Sequence, residues 1–322
     1  MKKLIFVTMV FTLLGCTQVN SQVVSNSMTG YKGTGVVTQG AATVANPSLF
    51  TCHGGRSRVA AVGLQVDAHS NKWTVPSANQ FLSANHAPDL FNECSGVTPS
   101  DLSQIDIDAI PAIEIDADGE VVIGYLFADN YFELYINGKL VGVDAVPFTP
   151  FNSSLVKFKV KKPYNIAVKL VDWEENLGLG SENNRGKKYH AGDGGFIASF
   201  SDGTVTNSEW LAQTFYTSPI YDLSCLKEQD QIRDSSTCFA GGTDDGASAY
   251  AVHWPLPENW EKKLFDYSHW PQATTYTEDD IGVENKKAYM NFREKFAGAG
   301  AEFIWSSNVV LDNQVLLRYQ VD

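Results

Sequence analysis

Asn137-Gly138 constrains this chain more than any other pair of residues. Both central residues of a two-residue hairpin turn take positive φ, which Asn and Gly tolerate best, so the flanking runs must lie side by side and antiparallel. Those runs fit strands. Residues 131–136 read Tyr-Phe-Glu-Leu-Tyr-Ile and residues 139–143 read Lys-Leu-Val-Gly-Val, rich in aromatic and branched side chains. A further strand is expected at 121–127, turned by Asp129-Asn130. Residues 155–160 alternate apolar and charged side chains, as a half-buried strand does, and 164–171 follow after Pro163. Similar runs lie at 194–200, 210–216, 249–254, 303–308 and 315–321. Helical periodicity is scarce: 286–296 is the fair case and 258–265 a shorter one. Many short strands separated by turn residues predict a mainly β chain, a sandwich or jelly roll.

Upstream the pattern changes. Residues 16–48 are Ser, Thr, Gly, Val and Asn with few large apolar groups, and read as a tether. Residues 49–120 read as a β-rich, loop-rich N-terminal lobe, with alternation at 59–66 and an acidic-apolar alternation at 102–115. The expected organisation is therefore a signal peptide at 1–15, a lipidated tether at 16–48, the lobe at 49–120 and the sandwich at 121–322.

Lys2 and Lys3 precede an apolar run from Leu4 to Leu14. As a helix that run reaches about 16 Å, roughly half a bilayer's hydrocarbon core, so it fits the apolar region of a secretory signal rather than a span. It ends in Leu13-Leu14-Gly15-Cys16, which resembles the lipobox of bacterial lipoproteins. That resemblance implies cleavage before Cys16 and a lipid on its thiol, hence a protein of the cell envelope, anchored to the outer membrane or cell surface. The ordinary alternative is a cleaved signal and a secreted protein. With Cys16 set aside, Cys52, Cys94, Cys225 and Cys238 form two local pairs, Cys52–Cys94 and Cys225–Cys238. In an oxidising compartment each is expected to be a structural disulfide. No pair has the CxxC spacing of a zinc ribbon or redox motif.

Hydrophobic residues make up 43% of the chain and aromatics 12%, enough for a sizeable core. The formal net charge is −13, more negative once Lys2 and Lys3 leave with the signal. An acidic surface repels phosphate backbones, which excludes nucleic acid as a natural partner.

Four stretches resemble one family. Asp129-Asn130-Tyr131-Phe132-Glu133-Leu134-Tyr135-Ile136-Asn137-Gly138-Lys139 is similar to the central hairpin of galactose-binding-like β-sandwiches, the jelly-roll modules that accompany many glycoside hydrolases. Tyr164-Asn165-Ile166-Ala167-Val168 resembles the segment after that hairpin. Phe265-Asp266-Tyr267-Ser268-His269-Trp270-Pro271-Gln272-Ala273 resembles the family's Asp/Trp phrase, and Phe303-Ile304-Trp305 with Leu317-Arg318 its later Trp and Arg elements. In the family the last two usually precede the hairpin. Either the sandwich is circularly permuted or the similarity is piecemeal. The resemblance implies a jelly-roll fold over residues 121–322; for function it is analogy.

No nucleophile elbow, zincin helix or phosphate loop is present. The loop from Cys52 through His53, Gly54, Gly55, Arg56 and Ser57 to Arg58 reads as disulfide-anchored, and residues 189–195 place His190 and Asp193 beside glycines in a polar loop. Asp116, Asp118 and Glu120 put alternate oxygens beside Gly119, the nearest approach to a calcium site, although the full loop pattern is missing. A plain acidic turn reads better there, so no cofactor is expected beyond that calcium option. Trp254 and Trp260 flank a Pro-rich turn and can stack on sugar faces if exposed, while Trp270 reads as core. With Asp129 and Asn130 orienting hydroxyls, they form the expected ligand site. The sequence thus reads as a surface-tethered, non-enzymatic binding protein for a glycan or another extracellular polymer, touching the membrane only through its lipid. The alternatives are a carbohydrate-active hydrolase or lyase with a site between the lobes, and a structural surface protein.

Overall fold

The computed structural model describes residues 30–52, 58–182, 189–241 and 246–322. Asn137 and Gly138 both take positive φ, 50° and 80°, and join Tyr131–Ile136 to Lys139–Val143 as the turn chemistry demands. This hairpin is one edge of a seven-stranded sheet. Its order runs Val36–Gln39, Tyr250–His253, Leu211–Ile220, Asp312–Val321, Tyr164–Val171, Tyr131–Ile136, Lys139–Val143. The second sheet runs Thr274–Tyr276, Phe303–Trp305, Gly195–Phe200, Glu120–Asp129, Ser153–Val160, Asp89–Phe91, with Ile113–Glu114 added beside Ser153–Val160. That last pairing is parallel; the ladders along both sheet orders are antiparallel. The molecule is a β-sandwich.

Side-chain alternation explains the packing. On Tyr131–Ile136, Phe132, Leu134 and Ile136 enter the core between the sheets, together with Leu126, Leu155, Val168, Ile197 and Leu317. Their neighbours Tyr131 and Tyr135 point the other way, yet they too are buried. The outer face of the first sheet is covered twice. Trp254, Trp260 and Trp270 pack over Tyr135, Ala167 and Leu316, while Ala60, Phe81 and Phe148 pack over Tyr131, Val171 and Trp173. Between these covers the buried pair Lys169–Glu133, at 2.8 Å, is satisfied by Tyr135 Oη, the Gln80 amide and the Ala78 carbonyl. Arg318 is also fully buried there; it donates to the carbonyls of Trp260 and Lys262 and lies 4.4 Å from the Tyr267 ring. A sheet buried on both faces has little polar alternation to show in its sequence.

Both expected disulfides are present, Cys52–Cys94 and Cys225–Cys238. The final strand shares a sheet with the hairpin strand, one strand away. Four local readings need correction. The stretch 36–46 is not tether: Val36–Gln39 pairs with Tyr250–His253, and Thr43–Asn46 joins a small sheet with Val62–Val66 and Lys72–Val75. Its short, small side chains suit an edge strand. The alternation at 102–115 yields a 3-10 turn, Leu102–Gln104, and the two-residue strand Ile113–Glu114, because its isoleucines lean on the core as single anchors instead of forming a ladder. Within 286–296 only Lys287–Met290 is α-helical, with a 3-10 turn at Arg293–Lys295, and 258–265 holds turns. Asp129-Asn130 does turn the chain, but into the other sheet: Glu120–Asp129 and Tyr131–Ile136 belong to opposite layers. Signal and lipidation residues 1–29, Cys16 included, lie outside the described residues.

Candidate functional site

The crossover at Asp129-Asn130 is also where the chain gathers its acids. Asn130 ties the corner: its Nδ2 donates to Asp129 Oδ1 at 2.6 Å, its amide donates to Val171 O, and its Oδ1 accepts from the Trp173 amide. Val171 pairs with Tyr131, so the residues that follow it, Asp172, Trp173 and Glu174, leave the sheet beside this corner. From the second sheet, Gly195 pairs with Asp129, which brings the loop before it, with Asp193, to the same place. Glu182 and His190 then close that loop through two backbone hydrogen bonds. Asp129, Asp172, Glu174, Glu182 and Asp193 thus converge at one end of the sandwich.

Four of the five are buried: Asp129, Asp172, Glu174 and Glu182 are each no more than 9% exposed. Burial, reinforced by the neighbouring carboxylates, pushes Asp129, Asp172 and Glu174 well above the usual carboxylate range. Burial, then Glu182, pushes Asp193 up to about 6. Cations are fewer. Arg58 lies over the Phe148 ring and pairs with Glu175 at 2.8 Å and Glu182 at 2.5 Å. Lys286 acts on Asp129 and Asp193 from further off. Glu174 Oε1 accepts from the Gly192 amide at 2.7 Å, but among the described residues Glu174 Oε2 and Asp172 Oδ2 have no hydrogen-bond partner. Buried acids with raised affinity for protons and unfilled acceptor sites make this end of the sandwich the candidate site.

The other expected residues lie elsewhere. Trp254 and Trp260 are both buried. The Trp254 indole donates to Glu228 and stacks on the Arg233 guanidinium, 4.6 Å from its ring, and Trp260 meets Tyr135 edge-on. They pack in the aromatic cover of the first sheet, and among the described residues no hydrogen bond or ring contact joins them to Asp129 or Asn130. Trp270 is in that cover, as expected. At the acidic turn, Asp116 accepts from the Lys161 amide, Asp118 forms an ion pair with Lys161, and Glu120 begins its strand. Lys161 therefore engages one oxygen of Asp116 through its backbone amide and one of Asp118 through its side chain. Among the described residues, no three His, Cys, Asp or Glu side chains stand in metal-holding geometry. His53 to Ser57 lie outside the described residues.

Asp172, Glu174 and Glu182 are absent from the sequence-based site. Their signal was Asp172-Trp173-Glu174 at the end of a strongly apolar strand, where two carboxylates at i and i+2 share a side. Comparison with known protein families, curated proteins and solved structures gives no match.

Proposed function

We propose that the protein is an exported, non-enzymatic binding protein for a glycan or another hydroxyl-rich extracellular polymer, and that the carboxylate cluster at the sandwich end is its binding site. The supporting observation is the pair of oxygens of Asp172 and Glu174 that have no partner among the described residues, behind the half-exposed rim residues His190 and Asp193. Carboxyl groups, protonated or ionised, exchange hydrogen bonds with paired sugar hydroxyls. Buried indoles leave little stacking surface, so recognition rests on hydroxyl orientation. The two disulfides fit an oxidising, extracellular environment. The anchor in this reading is a lipid on Cys16, and the fold in this reading is a permuted galactose-binding-like module.

A glycan array probed with residues 17–322 tests this reading. We expect selective binding, weakened about tenfold by Asp193→Asn, which is worth about 1.4 kcal/mol. An array without hits, or binding unchanged in Asp193→Asn, contradicts it. Asp193, held near pH 6 beside other acids, favours one alternative: an acid catalyst of glycoside cleavage. Release of reducing ends from a bound glycan decides for that alternative. For the anchor, Cys16→Ser is expected to shift the protein out of the membrane fraction; unchanged partitioning contradicts it.

A further inference from the structure

Lys227–Gln229 and Ile232–Asp234 pair as a hairpin inside the loop that the disulfide Cys225–Cys238 closes. Between this hairpin and the strand Leu211–Ile220 lies a cavity of about 260 Å³, lined by Ile232, Arg233, Pro271 and Ser307 among others. Its described lining includes none of the five acids at the sandwich end. Arg233 is the cation there. Its guanidinium lies 4.6 Å from the centres of both the Phe215 and the Trp254 rings. Nη1 donates to the Thr214 carbonyl, while Nε is buried with no partner among the described residues. Burial lowers its pKa to about 10, which leaves it charged at neutral pH. Yet no described carboxylate forms an ion pair with it. The nearby acids are engaged elsewhere. Glu228, opposite Arg233 on the hairpin, gives its oxygens to Tyr31, Thr34 and Trp254. Asp312 gives its oxygens to Thr214, Thr217, Ser235 and Ser306. The cavity's own acid, Asp234, pairs across the hairpin with Lys227 and accepts from the Ser236 amide. Residues 242–245 lie outside the described residues; the chain rejoins the first sheet at Ala249, which bonds Gly40, at the end of Tyr250–His253 opposite Trp254.

We propose that this cavity binds one small sugar acid, its carboxylate on Arg233 and its hydroxyls among Ser236, Ser307 and Gln272. A charge taken out of water without a counter-ion is costly. Two aromatic faces offset part of that cost, and an anion brought by a ligand offsets the rest. A guanidinium presents its N–H groups in one plane, which matches the two oxygens of a carboxylate. The acids around it, Glu228, Asp234 and Asp312, disfavour a second negative charge, which selects a monocarboxylate over sulfate or a phosphate dianion. Serine hydroxyls and the Gln272 amide stand beside the carbon surface of Ile232 and Pro271, which suits a hydroxylated body. At about 260 Å³ the cavity falls just below the usual range of about 300–1,000 Å³ for drug-sized ligands, so it holds one small molecule and no polymer. The glycan proposed above therefore leaves this site free, and neither reading depends on the other.

The experiment is calorimetric titration of the protein with sodium D-glucuronate, D-glucose and sodium sulfate at matched ionic strength, with a melting curve on each variant. We expect saturable binding of one glucuronate per chain, with glucose and sulfate at least tenfold weaker. Arg233→Lys keeps the charge but loses the planar fork, and is expected to weaken glucuronate binding at least tenfold. Ile232 is 46% exposed, so Ile232→Trp fills the cavity from its mouth without touching Arg233. It is expected to abolish binding at an unchanged melting temperature, and it judges the site even where Arg233→Lys loosens the hairpin. Absence of saturable glucuronate binding overturns the proposal, and so does binding unchanged in either folded variant. Equal binding of glucose overturns the role of Arg233, and equal binding of sulfate overturns the choice of a sugar acid.

Discussion

Deleting residues 312–322 is expected to leave a chain without a cooperative melting transition. Asp312–Val321 is an interior strand, hydrogen-bonded to Leu211–Ile220 on one side and Tyr164–Val171 on the other, so its loss opens two ladders at once. It also carries Val315, Leu316, Leu317 and Val321 into the core layers. Each such side chain contributes roughly 1.5–3 kcal/mol, against a typical total stability of about 5–15. Arg318 and Asp312 leave with it. Arg318 anchors the 260–262 backbone, and Asp312 accepts hydroxyls from Thr214, Thr217, Ser235 and Ser306. Four donors and a stretch of backbone would lose their partners. Circular dichroism on heating reads the result; a truncated protein that melts cooperatively at the parent temperature contradicts this placement of the strand.

Trp173→Ala is expected to lower stability by about 3–5 kcal/mol. The indole is fully buried, donates from Nε1 to Ala61 O at 3.0 Å and meets the Tyr131 ring edge-on at 6.0 Å. Its removal leaves a cavity between the sheet and the segment around residues 60–81, and strands the Ala61 carbonyl. Trp173→Phe keeps most of the volume and is expected to cost about half as much. Urea unfolding measures both. Alanine within about 1 kcal/mol of the parent contradicts the assignment of this ring as the post between the two. Asp172 and Glu174 flank it in sequence, so the same residue that holds the cover also holds the acids in place.

The hairpin was legible because Asn137-Gly138 admits few conformations, and most strands after it were legible because each is a short apolar run ended by a turn residue. Both disulfides followed from counting. What stayed hidden was which sheet each strand joins. Asp129-Asn130 looks like a hairpin turn locally; the interlayer crossing depends on Val171 and Trp173, some forty residues on. Burial of Trp254 and Trp260 was hidden for a related reason. An aromatic near prolines looks the same in sequence whether it faces water or a second cover over the sheet, and here Arg233, Tyr135 and Glu228 claim both rings. The acids of the candidate site come from four separate stretches of chain. Asp129 and Asp193 were each noticed, but only the pairing of Gly195 with Asp129 brings them together. Among so many acidic residues, the two that matter most, Asp172 and Glu174, differ from the rest by burial, a property that single residues do not display.

Hydrogen–deuterium exchange on the protein with and without its best array glycan tests the central claim most directly. Binding at the sandwich end predicts slowed exchange in the peptides covering residues 172–182 and 189–195, with the peptides covering 225–238 and 254–270 unchanged. Protection confined to 225–238 or 254–270, with 172–195 exchanging as before, contradicts the carboxylate cluster as the binding site.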